Sequence, residues 1–143
     1  MQRQFGVPKA QAEEHTRSLL EGVGLDRSYY YKFPKQMSGG ECQRSAIARA
    51  LSVSPDIILC DEITSALDVS VQAQVVELLQ KIHDDIDISI LFISHDLALV
   101  GSLCSRVLVM HDGVFVEQGD PMEIIKNPKD DYTRNLVSSI FTV

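Results

Sequence analysis

Two short apolar runs, the unbroken 57–60 (Ile57, Ile58, Leu59, Cys60) and 88–93, interrupted only by Ser89, constrain this chain more than any other feature. Each stops abruptly on polar residues, Asp61-Glu62 after the first and Ser94-His95-Asp96 after the second. Such a run is expected of a strand buried on both faces, with the polar residues at its carboxyl end. Between them, Val71, Val75, Leu78, Leu79 and Ile82 recur at helical spacing behind Asp68, a residue type that caps helix N-termini. A short helix through Leu97, Val100 and Leu103 leads to a third run, 106–110. Strand alternates with helix, so the fold class is α/β with a mainly parallel sheet and flanking helices.

The remaining punctuation comes from Gly, Pro and Asp. Residues 9–21 are good helix formers of mixed charge, and Gly22 and Gly24 stop that pattern. A tyrosine-rich loop, 29–34, precedes Ser38-Gly39-Gly40, which opens a helix carrying Ala46, Ile47, Ala50 and Leu51 on one face. That helix must close before Pro55, because the residue preceding a proline is pushed out of the α region. Asp112-Gly113 between two apolar stretches predicts a tight hairpin, whose turn needs positive φ at both central residues. Asp120-Pro121-Met122-Glu123 starts a short helix, and a last helix is expected to turn Tyr132, Leu136, Val137 and Ile140 inward.

With 143 residues, the chain is one domain or a piece of one, and 45% hydrophobic against 23% charged residues is ample for a buried core. Its net charge of −7 argues against a general binder of nucleic-acid backbones, which needs clustered Lys and Arg. No apolar run approaches the roughly 20 residues that span a bilayer, and the start of the chain lacks the apolar stretch of a secretory signal. A cytosolic protein is expected. Cys42, Cys60 and Cys104 form no CxxC pair and are expected to be small buried hydrophobes rather than zinc ligands or redox partners.

Three sites could carry chemistry. Ser38-Gly39-Gly40 at a helix start can offer bare amides and the positive end of the helix dipole to a phosphate, although the same tripeptide also serves as an ordinary cap and turn. Asp61-Glu62 at a strand's carboxyl end sits where α/β sheets bind ligands. One acid there can hold Mg²⁺ through water while its neighbour orients or deprotonates an attacking water; alone, the pair also suits a solvated strand end. His95, ending the second run, is placed to hydrogen-bond a terminal phosphate, or simply to be a satisfied polar residue.

In order, MSGGE (37–41), IILCDE (57–62), SALD (65–68) and SHD (94–96) resemble the signature motif, Walker B motif with its glutamate, D-loop and switch histidine of ABC ATPases. The resemblance covers essentially the whole chain. It implies the C-terminal portion of a P-loop NTPase domain: 1–54 as part of the helical subdomain with the signature helix, and 55–143 as the C-terminal part of the catalytic core and tail. It further implies that Ser38, Gly39, Gly40 and Glu41 face an ATP held on a partner, that Asp61 supports Mg²⁺ through water, that Glu62 is the general base, that His95 orients the γ-phosphate and water, and that Asp68 communicates across a dimer. Expected partners are a second nucleotide-binding subunit and transmembrane permease subunits, with no nucleic acid, at the inner face of the cell membrane.

A finer resemblance is to the ATP-binding subunits of dipeptide, oligopeptide and nickel importers. It rests on Tyr31-Lys32-Phe33-Pro34, residues 66–74 (ALDVSVQAQ), Val116-Glu117-Gln118-Gly119, Asn127-Pro128 and Tyr132-Thr133-Arg134. Three residues depart from the family's habits: Glu41 where glutamine is usual, Ile63 where proline follows the catalytic glutamate, and Asp131 before Tyr132-Thr133. The sequence contains no GxxxxGK[ST], the pattern that cradles phosphates. A fragment with little activity of its own is therefore expected, and the strand edges left open beside the absent P-loop strand are expected to close up or self-associate. The alternatives are a non-catalytic interaction module and a soluble ABC-type ATPase of DNA maintenance, which the lack of heptads and the acidic charge disfavour.

Overall fold

A computed structural model describes residues 8–141. The chain contacts divide it into two units, Met1–Leu91 and Phe92–Val143. The first unit opens with α1 (Lys9–Gly22) and two 3-10 turns, Arg27–Tyr31 and Pro34–Gln36. It continues through α2 (Gly39–Leu51), β1 (Ile57–Asp61) and α3 (Val69–Ile86) into β2 (Ser89–Ile93), whose last two residues are counted in the second unit. The second contains α4 (Leu97–Leu103), β3 (Val107–His111), β4 (Val114–Gly119), α5 (Pro121–Lys126) and α6 (Asp131–Phe141).

In the first unit, α1 ends as the two glycines require: Gly24 takes φ +76°, a left-handed conformation that costs glycine nothing. The chain then doubles back, burying Val23 and Leu25, and α1 packs on α2. Arg44 of α2 pins this corner, donating to the Val23 carbonyl at 3.1 Å and to Gln74 Oε1 of α3 at 3.0 Å. The face of α3 read from the sequence is nearly right. Val75, Leu78, Leu79 and Ile82 are buried and Val71 is half-buried, while Val76 joins the buried set because the apolar stripe is wider than one row.

The α/β class holds, with β1 and β2 joined through α3 as neighbours in a two-stranded parallel sheet. Burial of β1 on both faces is corrected. Ile58 and Cys60 are buried, whereas Ile57 and Leu59 are 64% and 61% exposed. Successive side chains of a strand point to opposite faces, so covering both takes a layer on each side. Among the described residues only one face of β1 receives its layer. The same expectation for β2 is also corrected: none of its residues is fully buried, and Leu91 and Ile93 are 52% and 45% exposed.

In the second unit, β3 and β4 form the expected antiparallel hairpin. Asp112 and Gly113 both have positive φ, 48° and 81°, and the register shifts at Val109/Met110. Asp120 caps α5 by accepting from the amides of Met122 and Glu123 at 2.8 and 3.1 Å, with Pro121 in the first helical position. In α6, Val137 is buried, Leu136 is half-buried, and the half-buried Tyr132 stacks on His111 with ring centroids 3.9 Å apart. The side chain of Ile140 lies outside the described residues. Of the cysteines only Cys60 is buried. Cys42 and Cys104 are half-buried, and partial burial pushes the Cys104 thiol up.

Candidate functional site

Ser38 makes the turn that opens α2. Its backbone is extended, and its hydroxyl accepts from the Glu41 amide at 3.3 Å. Glu41 reciprocates. One of its carboxylate oxygens accepts from the Ser38 amide at 2.7 Å, closing a capping box, and the other accepts from the Tyr29 hydroxyl. These bonds hold the Glu41 carboxyl below the usual glutamate range, with the Tyr29 hydroxyl the larger cause and the Ser38 amide the next. Lys32, whose Nζ lies 3.4 Å from the centroid of the Tyr29 ring, pulls the same way. The amides of Gly39 and Gly40, in the first helical turn, have no intrahelical acceptor to reach. That end of α2 therefore favours an anion.

The two glycines also have a packing reason. A Cβ on Gly39 would meet Leu67 Cδ2 at 3.1 Å, and one on Gly40 would meet Val71 Cγ1 at 2.6 Å. The Ser38 turn thus rests directly on the start of α3. There Asp68 accepts from the Val71 amide at 3.0 Å and the Ser70 hydroxyl at 2.7 Å, which hold its carboxyl below the ordinary aspartate range, Ser70 contributing most. Ser38, Gly39, Gly40, Glu41 and Asp68 are accordingly brought into one neighbourhood.

Asp61 ends β1, and both Asp61 and Glu62 are exposed at the strand's carboxyl end. Glu62 takes φ +45°, a left-handed conformation that non-glycine residues seldom adopt outside turns and functional sites. The turn that follows is tied from both sides. Ser65 donates to the Glu62 carbonyl from its amide at 3.2 Å and its hydroxyl at 2.9 Å. Gln72 reaches back from α3 to the carbonyls of Thr64 and Leu67 at 2.9 and 3.2 Å. Among the described residues no three His, Cys, Asp or Glu side chains cluster into a metal cage. An exposed carboxylate pair instead fits Mg²⁺, which keeps several waters and takes one or two carboxylates together with substrate phosphates.

His95 belongs to the second unit, exposed in the link between β2 and α4. Its neighbours shape that link: Ser94 Oγ accepts from the Asp96 amide at 3.0 Å, and Asp96 caps α4 through the amides of Ala98 and Leu99. Sequence reasoning missed Tyr29 and Lys32 as partners of Glu41. They lie 12 and 9 residues before it in a 3-10 turn and the residue capping it, where no periodicity announces a contact.

Residues 2–65 match the ABC transporter family. The oligopeptide transport ATP-binding protein OppF of Escherichia coli K12 is 46% identical over 94% of this chain, and OppF of Mycoplasma genitalium is 43% identical over the same share. The chain belongs to the ABC transporter ATP-binding family. The methionine import ATP-binding protein MetN 2 of Bacillus cereus is similar at 43% identity over 94% of the chain. These ABC relatives are longer: the chain spans about 40% of the Escherichia coli protein and 16% of the Mycoplasma genitalium one. In three dimensions it resembles cbiO1 of Clostridium perfringens, part of the ABC transporter complex cbiONQ, with TM-score 0.75 and 26% identity over 87% of this chain and 49% of that one. An ABC ATPase fold is therefore shared, and it agrees with a partial P-loop NTPase domain. No helix among the described residues is long and apolar enough to cross a membrane.

Proposed function

We propose that this chain carries the phosphate-facing and water-activating half of the ATP-hydrolysing subunit of an ABC importer, with peptides as the cargo class. The observation that carries the reading is the turn of α2. Bare amides at a helix start are locked by a capping box and packed on the Asp68-capped start of α3, in a chain whose relatives are named for oligopeptide and dipeptide transport.

In this reading Ser38, Gly39 and Gly40 offer the dipole end and amides of α2 to the γ-phosphate of an ATP held by a second nucleotide-binding subunit. Glu62, exposed at the end of β1, takes the proton of the attacking water, and its left-handed backbone, tied by Ser65, fixes where the carboxylate starts. Asp61 would hold Mg²⁺ through water, and the ion would neutralise charge on the phosphates. His95 would orient the γ-phosphate and water, and Asp68 would carry the state of the site across the dimer. Catalysis of this kind is mostly positioning and electrostatics. The subunit would dock against transmembrane permease subunits at the inner face of the membrane, a reading supported by relatives named as transport ATP-binding proteins. The open apolar face of β1, with Ile57 and Leu59, supports work within a larger assembly.

The test is phosphate release by this chain and by the chain joined upstream to a segment bearing the Walker A sequence, each with and without Glu62→Gln. Turnover is expected in the joined form only, with a loss of about 100-fold or more in Glu62→Gln. Turnover that survives Glu62→Gln removes Glu62 as the base. Turnover by the chain alone overturns the requirement for a separate nucleotide grip.

A further inference from the structure

A glutamate at the fourth position of the Ser38 turn places a negative charge one residue beyond amides that are meant to face a phosphate. The structure answers that charge. Both oxygens of the Glu41 carboxylate are engaged, one by the Ser38 amide and one by the Tyr29 hydroxyl. Lys32 sits over the face of the same tyrosine ring, with Nζ 3.4 Å from the centroid. A cation on the ring face draws electron density from the phenol, strengthening its hydroxyl as a donor, and partly offsets the carboxylate's charge. Neither Tyr29 nor Lys32 lies in the motif itself; both come from the segment between α1 and α2, Tyr29 from the 3-10 turn that packs on α1 and Lys32 from the residue capping that turn.

We propose that Tyr29 and Lys32 are positioning residues that hold the Glu41 carboxylate onto the Ser38 amide, so that the head of α2 meets a nucleotide phosphate with amides rather than with a free negative charge. This rests on the phosphate-facing reading of the turn and deepens it, since it explains how a glutamate is tolerated there. Freed from Tyr29, the carboxylate can swing toward solvent at the helix end, and an anion arriving at Gly39 and Gly40 meets a like charge. Glutamine at position 41 keeps the bond to Ser38 and has no charge to restrain, so it makes the clamp dispensable.

The experiment uses the whole chain in four forms: unaltered, Tyr29→Phe, Glu41→Gln and the double variant, with Lys32→Gln as a second way of weakening the clamp. Two readouts are taken by nuclear magnetic resonance: the titration of the Glu41 side-chain carboxyl, and the response of the Gly39 and Gly40 amides to inorganic triphosphate and to ATP with Mg²⁺ at neutral pH. The unaltered chain is expected to titrate Glu41 below the ordinary glutamate range, and Tyr29→Phe and Lys32→Gln to move it upward. Tyr29→Phe is expected to weaken the anion response about 5-fold, the size of a like-charge contact in a hydrated site, and the double variant to recover it. A Glu41 carboxyl that titrates normally, or a loss in Tyr29→Phe that persists when Glu41 is glutamine, overturns the clamp while leaving the phosphate-facing reading intact. No response of the two glycine amides in any form overturns that reading, and the purpose given to the clamp with it.

Discussion

Replacing Gly40 with alanine tests whether the Ser-Gly-Gly turn is held by packing as well as by its suitability for a phosphate. The new Cβ would lie 2.6 Å from Val71 Cγ1, against about 3.5–4.0 Å for carbon atoms at rest. Val71 must therefore yield by roughly 1 Å, and it is poorly able to. Its β-branched side chain has one favoured rotamer in a helix, and its amide is tied to Asp68. Overpacking of this kind costs about 1–3 kcal/mol, while alanine in a helix recovers roughly 0.5–1 kcal/mol over glycine. The net expectation is a loss of about 1–2 kcal/mol. Val71→Ala alone, which removes half-buried methyl groups, should cost about 1 kcal/mol. In that background the clash is gone and Gly40→Ala should stabilise by about 0.5 kcal/mol. The cycle therefore predicts a coupling of about 1.5–2.5 kcal/mol, well outside the roughly 0.3–0.5 kcal/mol scatter of independent sites. Urea unfolding followed by circular dichroism measures it, provided the four forms share one slope. Losses that simply add would refute the argument, because they would mean that α2 and α3 can separate at Gly40 without cost.

Three further outcomes follow from the same geometry. Ile58→Ala should lower unfolding stability by about 2–4 kcal/mol, whereas Leu59→Ser, one residue along on the open face, should change it by no more than about 0.5 kcal/mol; equal losses by urea titration would show that the outer face of β1 is covered. Glu62→Gly should raise the melting temperature by a few degrees in calorimetry, since a left-handed non-glycine residue costs on the order of 1 kcal/mol or more, and a lower melting temperature would mean that the side chain contributes more than the backbone strain removes. The Asp68 carboxyl is depressed in the folded chain by Ser70 and the Val71 amide. Its contribution is therefore complete above the ordinary aspartate value near 3.8 and is lost as pH falls through the lower folded value. Asp68→Asn should flatten that acid limb of the stability profile, and an unchanged limb would assign the acid sensitivity to other carboxylates.

Much of the site was legible one residue at a time. Asp68 and Asp120 read as helix caps because short acidic side chains reach the amides two or three residues on, and both do so. Asp112-Gly113 read as a hairpin turn because its two positive φ values suit few other pairs, and both are found. Asp61 and Glu62 fall at a strand's carboxyl end because the apolar run simply stops there. What local pattern could not supply was the partner of each group. Glu41 looked like a charge set against a phosphate, and only the folded corner shows Tyr29 and Lys32 restraining it.

The sequence by itself determined the elements, their order, the caps and turns and the family, because these depend on periodicity and on short-range hydrogen bonding within a few residues. The tertiary structure alone decided which faces are covered and which distant side chains meet. An unbroken apolar run cannot say how many layers will pack against it, so β1 reads as buried on both sides and is buried on one. Likewise the second glycine of the turn is explained only when Val71, 31 residues later, stands against it. Contacts of that kind depend on where helices cross, and a crossing is set by packing across the whole unit rather than by the residues that happen to meet there.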